Sequence, residues 1–151
     1  MNSDEYSIGL VPGPVSVPCD VRESWLTDFG SSDLEAEFFE LYAQNQKLLQ
    51  KLLGTKETVV ITLGEAMSVL WGSLKNTLKP GEKLLAVVSG LFGEGLSDMA
   101  KSIGIRSETV ATEYNSIPDP QKVREAALRF RPKVITAVHC ETPSGTLMPL
   151  K

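Results

Sequence analysis

Histidine occurs once in this chain, as His139, and cysteine twice, as Cys19 and Cys140. A single imidazole cannot form a paired-histidine metal centre, and two distant thiols lack metal-ligand spacing, so no metal site is expected. The cysteines read as unpaired thiols of a reducing compartment. No apolar run approaches the roughly 20 residues that cross a bilayer. The acidic start Met1-Asn2-Ser3-Asp4-Glu5 is unlike a secretory signal or a basic transit peptide. The expected location is therefore cytoplasmic, with no membrane partner. Basic residues are also too few for a nucleic-acid binder: 15 Lys and Arg stand against 19 Asp and Glu, for a net charge of -4, and they form no stripe. Neither a Gly-x-Gly-x-x-Gly fingerprint nor a Walker-type glycine-lysine loop is present, so nucleotide binding lacks its usual signals.

What is present is an alternation of periods. Residues 1–31 read as an N-terminal arm, because Pro12, Pro14 and Pro18 exclude a regular helix between Ile8 and Val21. A helix follows, with Ser32 and Glu35 as a capping-box pair and Gly54 as its stop. Leu34, Phe38, Leu41, Leu48 and Leu52 give it one apolar face. Thr58 to Leu63 is a β-branched run that reads as a buried strand. Met67 to Leu78 has helical spacing, Leu84 to Val88 is a second buried strand, and a helix around Gly95 to Ile103 closes at Gly104. A strand near Ser107 to Ala111 comes next. Asp119 and Pro120 then open a helix running to about Phe130, and Lys133 to Val138 is the last strand. Strands alternating with helices through short connections define an α/β fold with a mainly parallel sheet. Residues 32–151 are read as one unit of that fold.

Three polar loops follow strand-like runs: Leu63-Gly64-Glu65-Ala66-Met67, Ser89-Gly90-Leu91-Phe92-Gly93 and His139-Cys140-Glu141-Thr142-Pro143-Ser144-Gly145. In a parallel sheet such loops gather at the carboxyl edge, where ligands bind. The first is either a phosphate site at a helix N-terminus or an ordinary connection. A phosphate there requires the Glu65 side chain to point away. The second offers Phe92 either as a stacking ring or as a lid on the core. The third gathers an imidazole, a carboxylate and hydroxyls; a lone His at a strand end is usually structural. Together they suit a flat, phosphorylated cofactor.

Read in order, these strings resemble the class V pyridoxal-phosphate-dependent aminotransferases, in particular the alanine–glyoxylate and serine–pyruvate branch. The matching pieces are Pro12-Gly13-Pro14 with Val17-Pro18, Gly64-Glu65-Ala66-Met67, Leu70-Trp71-Gly72 and Leu78-Lys79-Pro80-Gly81-Glu82-Lys83. Gly90-Leu91-Phe92-Gly93, Asp98-Met99-Ala100 and His139 to Leu147 follow. The resemblance implies that Glu65, Ala66 and Met67 form the turn whose amides hold the phosphate of pyridoxal 5'-phosphate. It implies further that Phe92 stacks on the pyridine, that Thr142 hydrogen-bonds near the ring oxygen, and that Gly13 approaches the substrate carboxylate. The implied substrates are an amino acid and a 2-oxo acid, with alanine or serine as donor and glyoxylate or pyruvate as acceptor, on a homodimer.

Two departures qualify this. Val11 stands before Pro12-Gly13-Pro14 where the family has glycine. No lysine here matches the family's cofactor-binding lysine, nor is its pyridine-pairing aspartate or its later carboxylate-binding arginine matched. The chain is therefore expected to be the first part of the large cofactor-binding domain, with no catalytic residue of its own and no turnover alone. The alternative is a non-catalytic interaction module.

Overall fold

The computed structural model describes residues 12–150. Of the arm, positions 1–11 lie outside the described residues. The chain divides into two compact units, one spanning Ser16–Gly64 and the other comprising Glu65 onward together with the segment before Ser16.

In the first unit, α1 (Cys19–Glu23) begins directly after Pro18, and a 3₁₀ turn covers Ser24–Leu26. The arm reading therefore fails for these residues: the prolines lie ahead of the helix and none is inside it. Helix α2 spans Ala36–Leu53 and ends on Gly54 in the left-handed conformation, as its composition requires. It does not begin at a Ser32 cap. Leu34 and Glu35 instead donate to the Ser31 carbonyl, and Glu35, in extended backbone, takes the N-cap position without a side-chain bond. The leucine stripe lies open, with Leu48 64% and Leu52 79% exposed.

The predicted strand at 58–63 is absent. That segment has no ladder partner among the described residues, and side chains of α2 satisfy its backbone instead. Tyr42 Oη accepts from the Ile61 N–H (3.1 Å) and donates to the Ile61 carbonyl (3.2 Å). Gln46 and Gln50 donate to the carbonyls of Val59 (2.7 Å) and Glu57 (2.9 Å). These three residues recur every four positions and so share one face of the helix.

The second unit holds α3 (Ala66–Thr77), β1 (Lys83–Val88), α4 (Leu91–Ser102), β2 (Arg106–Ala111), α5 (Pro120–Phe130) and β3 (Val134–Ala137). A hairpin follows, with β4 (Cys140–Glu141) antiparallel to β5 (Thr146–Leu147). The sheet is parallel with order β2-β1-β3. β1 is central, so both its faces must be apolar, and Leu84, Leu85 and Ala86 are fully buried. Leu84, Ala86 and Val88 pack with Leu74 of α3, with Leu78 just after it, and with Leu96 and Ala100 of α4. Small residues let α4 approach closely: a Cβ on Gly93 would stand 3.1 Å from the Val88 Cα. Against β2, Ser97 of α4 and Ser107 share a hydroxyl hydrogen bond of 2.7 Å. α5 starts as its sequence predicts, with Asp119 accepting from the Gln121 N–H at 2.9 Å and Pro120 at the first position.

No described helix is long and apolar enough to cross a membrane. Among the described residues no three His, Cys, Asp or Glu side chains group as metal ligands.

Candidate functional site

Helix α4 begins at Leu91, four residues earlier than its spacing predicted, so Leu91, Phe92 and Gly93 form its first turn instead of a loop. The glycines at 93 and 95 had hidden that start, since glycine weakens a helical signal. The turn sits on the carboxyl end of β1, which fixes where the Phe92 ring begins. Phe92 is half-buried.

The third polar segment is a hairpin. Its turn, residues 142–145, closes with the Gly145 N–H on the Glu141 carbonyl (2.7 Å), and Gly145 has φ +66, a left-handed value that glycine tolerates. Ser144 Oγ donates to Thr146 Oγ1 at 2.8 Å. His139 Nδ1 lies 2.9 Å from the Met148 carbonyl, which only accepts, so Nδ1 carries the proton. The imidazole thus straps the hairpin to the following chain. Thr142 is half-buried in the turn, one residue beyond Glu141.

The first segment opens α3. Ala66 and Met67 are its first residues and Glu65 is the N-cap, its carboxylate accepting from the Met67 N–H at 2.7 Å. The side chain therefore covers the amide that a phosphate would use instead of pointing away from it. It is exposed, so nothing packed around it holds it there.

These three segments are joined physically. The Met67 methyl lies 3.7 Å from where a Cβ on Gly95 would stand, which brings the start of α3 against α4 one turn beyond Phe92. Glu141 reaches α4 from the other side, accepting from the Phe92 N–H at 2.9 Å and the Gly93 N–H at 3.2 Å. Met67 and Phe92 thus lie on one chain of contacts through α4, with Glu65 and Ala66 beside Met67 in sequence and Thr142 beside Glu141. No hydrogen bond ties Gly13 to these loops; it is half-buried, and a Cβ on it would meet nothing within 4 Å.

Glu141 itself was not foreseen. It is fully buried, although acidic and next to a turn. Its signal in the sequence is indirect: Gly90 must lack a side chain, since a Cβ there would stand 2.5 Å from the Glu141 Cγ. Beside these residues an open cavity of about 260 Å³ lies against Ser89, Leu91, Glu94, Thr109, Thr112 and Tyr114. It takes in none of Glu65, Ala66, Met67, Phe92 and Thr142.

No family model matches the chain. Among characterised relatives, it is 24% identical to the (S)-ureidoglycine–glyoxylate transaminase of Bacillus subtilis over 143 residues, which is 94% of this chain and 34% of that protein. It is 27% identical to the 2-aminoethylphosphonate–pyruvate transaminase of Pseudomonas aeruginosa over 153 aligned residues, or 99% of this chain and 40% of the other. In structure, it superposes on an alanine–glyoxylate aminotransferase from Nostoc sp. with a TM-score of 0.85 at 26% identity, covering 100% of this chain and 41% of that one. In both sequence and fold the chain is therefore similar to aminotransferases. It spans 34 to 41% of the length of these three proteins.

Proposed function

We propose that this chain supplies the phosphate-side and ring-side walls of a pyridoxal 5'-phosphate site in an aminotransferase. The supporting observation is the contact chain from Met67 through α4 to Glu141, the neighbour of Thr142, which brings the start of α3 together with the segments that follow β1 and β3. The two helix N-termini in this contact chain are unequal. That of α4 is filled from within by a buried carboxylate, whereas that of α3 is covered only by the exposed Glu65 side chain. A phosphate dianion therefore favours α3, whose amides and dipole attract it once Glu65 turns outward. The half-exposed Phe92 ring suits stacking over a flat heteroaromatic and keeps water from that face. In this reading the Thr142 hydroxyl hydrogen-bonds at the ring's edge, and Gly13 belongs to the segment that approaches the substrate carboxylate.

When bound, the cofactor supplies the electron sink for chemistry at an amino acid's α-carbon. The covalent lysine and the groups that hold the pyridine nitrogen and the substrate carboxylate lie on sequence that this chain does not match. The chain alone is accordingly inactive; the missing groups come from a longer polypeptide or from a different, second one, and the complete enzyme is a homodimer. Glyoxylate or pyruvate recurs in the names of all three relatives while the amino donor differs. This supports a small 2-oxo acid as acceptor; the donor in this proposal is alanine or serine.

The test is cofactor titration of the purified protein, followed from 300 to 500 nm, for the wild type and Phe92→Ala. Removal of the ring should weaken binding roughly tenfold, through lost stacking and buried area. Equal affinity for the two proteins would sink the stacking assignment. Absence of any saturable binding by the wild type would sink the cofactor reading itself.

A further inference from the structure

We propose that Glu141 is a positioning residue: its buried carboxylate locks the first turn of α4 to the β4–β5 hairpin and so fixes Phe92 relative to Thr142. This rests on the cofactor reading above, in which Phe92 and Thr142 face one ring.

The geometry is specific. Glu141 has no exposed surface, and each of its oxygens takes a different amide, Oε1 that of Phe92 (2.9 Å) and Oε2 that of Gly93 (3.2 Å). A carboxylate accepting two amides at a helix start meets the dipole's positive end, so the arrangement is favourable in charge as well as in hydrogen bonding. The first turn of a helix has free N–H groups by construction, and here two of them are used for tertiary attachment. The same residue is held in the hairpin through its main chain: its carbonyl accepts from the Gly145 N–H at 2.7 Å, and β4 pairs it with Thr146. One residue thus spans both loops, with its backbone in one and its side chain in the other.

Gly90 makes room for it. A Cβ there would stand 2.5 Å from the Glu141 Cγ and 2.8 Å from its Cδ, closer than real contacts allow. The Gly90 φ of 170 is ordinary extended backbone, so the requirement for glycine is one of space. Removing the lock frees two segments that are otherwise 48 residues apart in sequence. Phe92 and Thr142 then lose their fixed separation, and a ring that must contact both is held less well. In a site built for one ligand geometry, small misplacements are expensive.

Two independent variants test this. Glu141→Gln keeps the shape but offers one acceptor oxygen where two are needed, turning an N–H toward an N–H. Gly90→Ala leaves Glu141 intact and displaces its carboxylate by crowding. For each, amide hydrogen exchange at residues 92 and 93 and pyridoxal 5'-phosphate affinity are measured beside the wild type and Phe92→Ala. Both variants should speed exchange at these two amides by on the order of tenfold or more, as expected for lost charge-assisted hydrogen bonds. They should also weaken the cofactor by a factor approaching that of Phe92→Ala, with a shifted absorbance or circular-dichroism band.

A structural role alone would loosen the amides or lower the unfolding midpoint while leaving affinity and band unchanged, and that result overturns the proposal. Unchanged protection at both amides overturns it as well. If the wild type fails to bind, the cofactor reading has failed, and this positioning role falls with it. If the wild type binds and Phe92→Ala weakens it but neither lock variant does, the cofactor reading stands and only the lock is wrong.

Discussion

At the scale of single residues, α4 contains two glycines whose surroundings differ sharply. Gly93 packs on β1, and an added Cβ would stand 3.1 Å from the Val88 Cα and 3.4 Å from the Val87 carbonyl oxygen. Both neighbours are main-chain atoms of the central strand, so neither yields by rotating a side chain. Gly95 would meet only the flexible end of Met67, at an ordinary 3.7 Å. Alanine raises helix propensity at either position by up to about 1 kcal/mol. At 93 that gain is set against overpacking, which costs about 1–3 kcal/mol. Gly95→Ala is therefore expected to stabilise the chain and Gly93→Ala to destabilise it, as read from denaturant midpoints at constant slope. Two changes of the same sign would show that helix propensity, and not the approach of α4 to β1, decides these positions.

At the scale of elements, the amino edge of the sheet is tied by one carboxylate. Glu82, just before β1, accepts from Lys133 Nζ, just before β3, at 2.8 Å, and from the Lys79 N–H at 2.7 Å. The hydrogen bond from Lys133, and after it that from the Lys79 backbone, hold this carboxyl below the usual glutamate range. A folded-state value below the unfolded one gives a contribution that is present above the unfolded pKa and is lost as pH falls through the folded one. Stability should thus decline as pH drops below about 4.3, the ordinary value for glutamate. Glu82→Gln should decline less steeply over the same interval, and matching slopes for the two proteins would remove Glu82 from the acid limb. The neighbouring elements β1, β2 and α5 were legible because their signals are local: β-branched runs, a β-strand length, and the Asp119-Pro120 start. The 58–63 run has the same composition as a strand but has no partner strand among the described residues, and pairing is not a local property. Ser32 failed as a cap because Ser31 closed a turn ahead of it, a choice between two adjacent serines that composition does not record. In the site, Phe92 and Thr142 were readable as residue types in their segments. Glu141 was not, because burial of a carboxylate is decided by amides 48 and 49 residues away in sequence.

At the scale of the whole molecule, the sheet-bearing unit leaves apolar surface beside β3. That strand pairs with β1 on one side, and among the described residues no strand pairs with its other side. Ile135 on it is 50% exposed, and Ile117 is 49% exposed. With Val123, Ala137 and Met148 they line an open, mainly apolar cavity of about 250 Å³. An unpaired strand edge next to exposed aliphatic side chains is a template for association, and soluble monomers normally cover or charge such an edge. The same surface gives the interaction-module reading its one specific support. The isolated chain should accordingly self-associate as its concentration rises, and Ile135→Lys, which places a charge on that face, should shift it toward monomer. Sedimentation velocity over a wide concentration range measures both. A wild type that remains monomeric throughout would show this face to be satisfied without a partner. Association that Ile135→Lys leaves unchanged would move the contact elsewhere, to surfaces such as the open leucine stripe of α2, where Leu48→Lys provides the corresponding test.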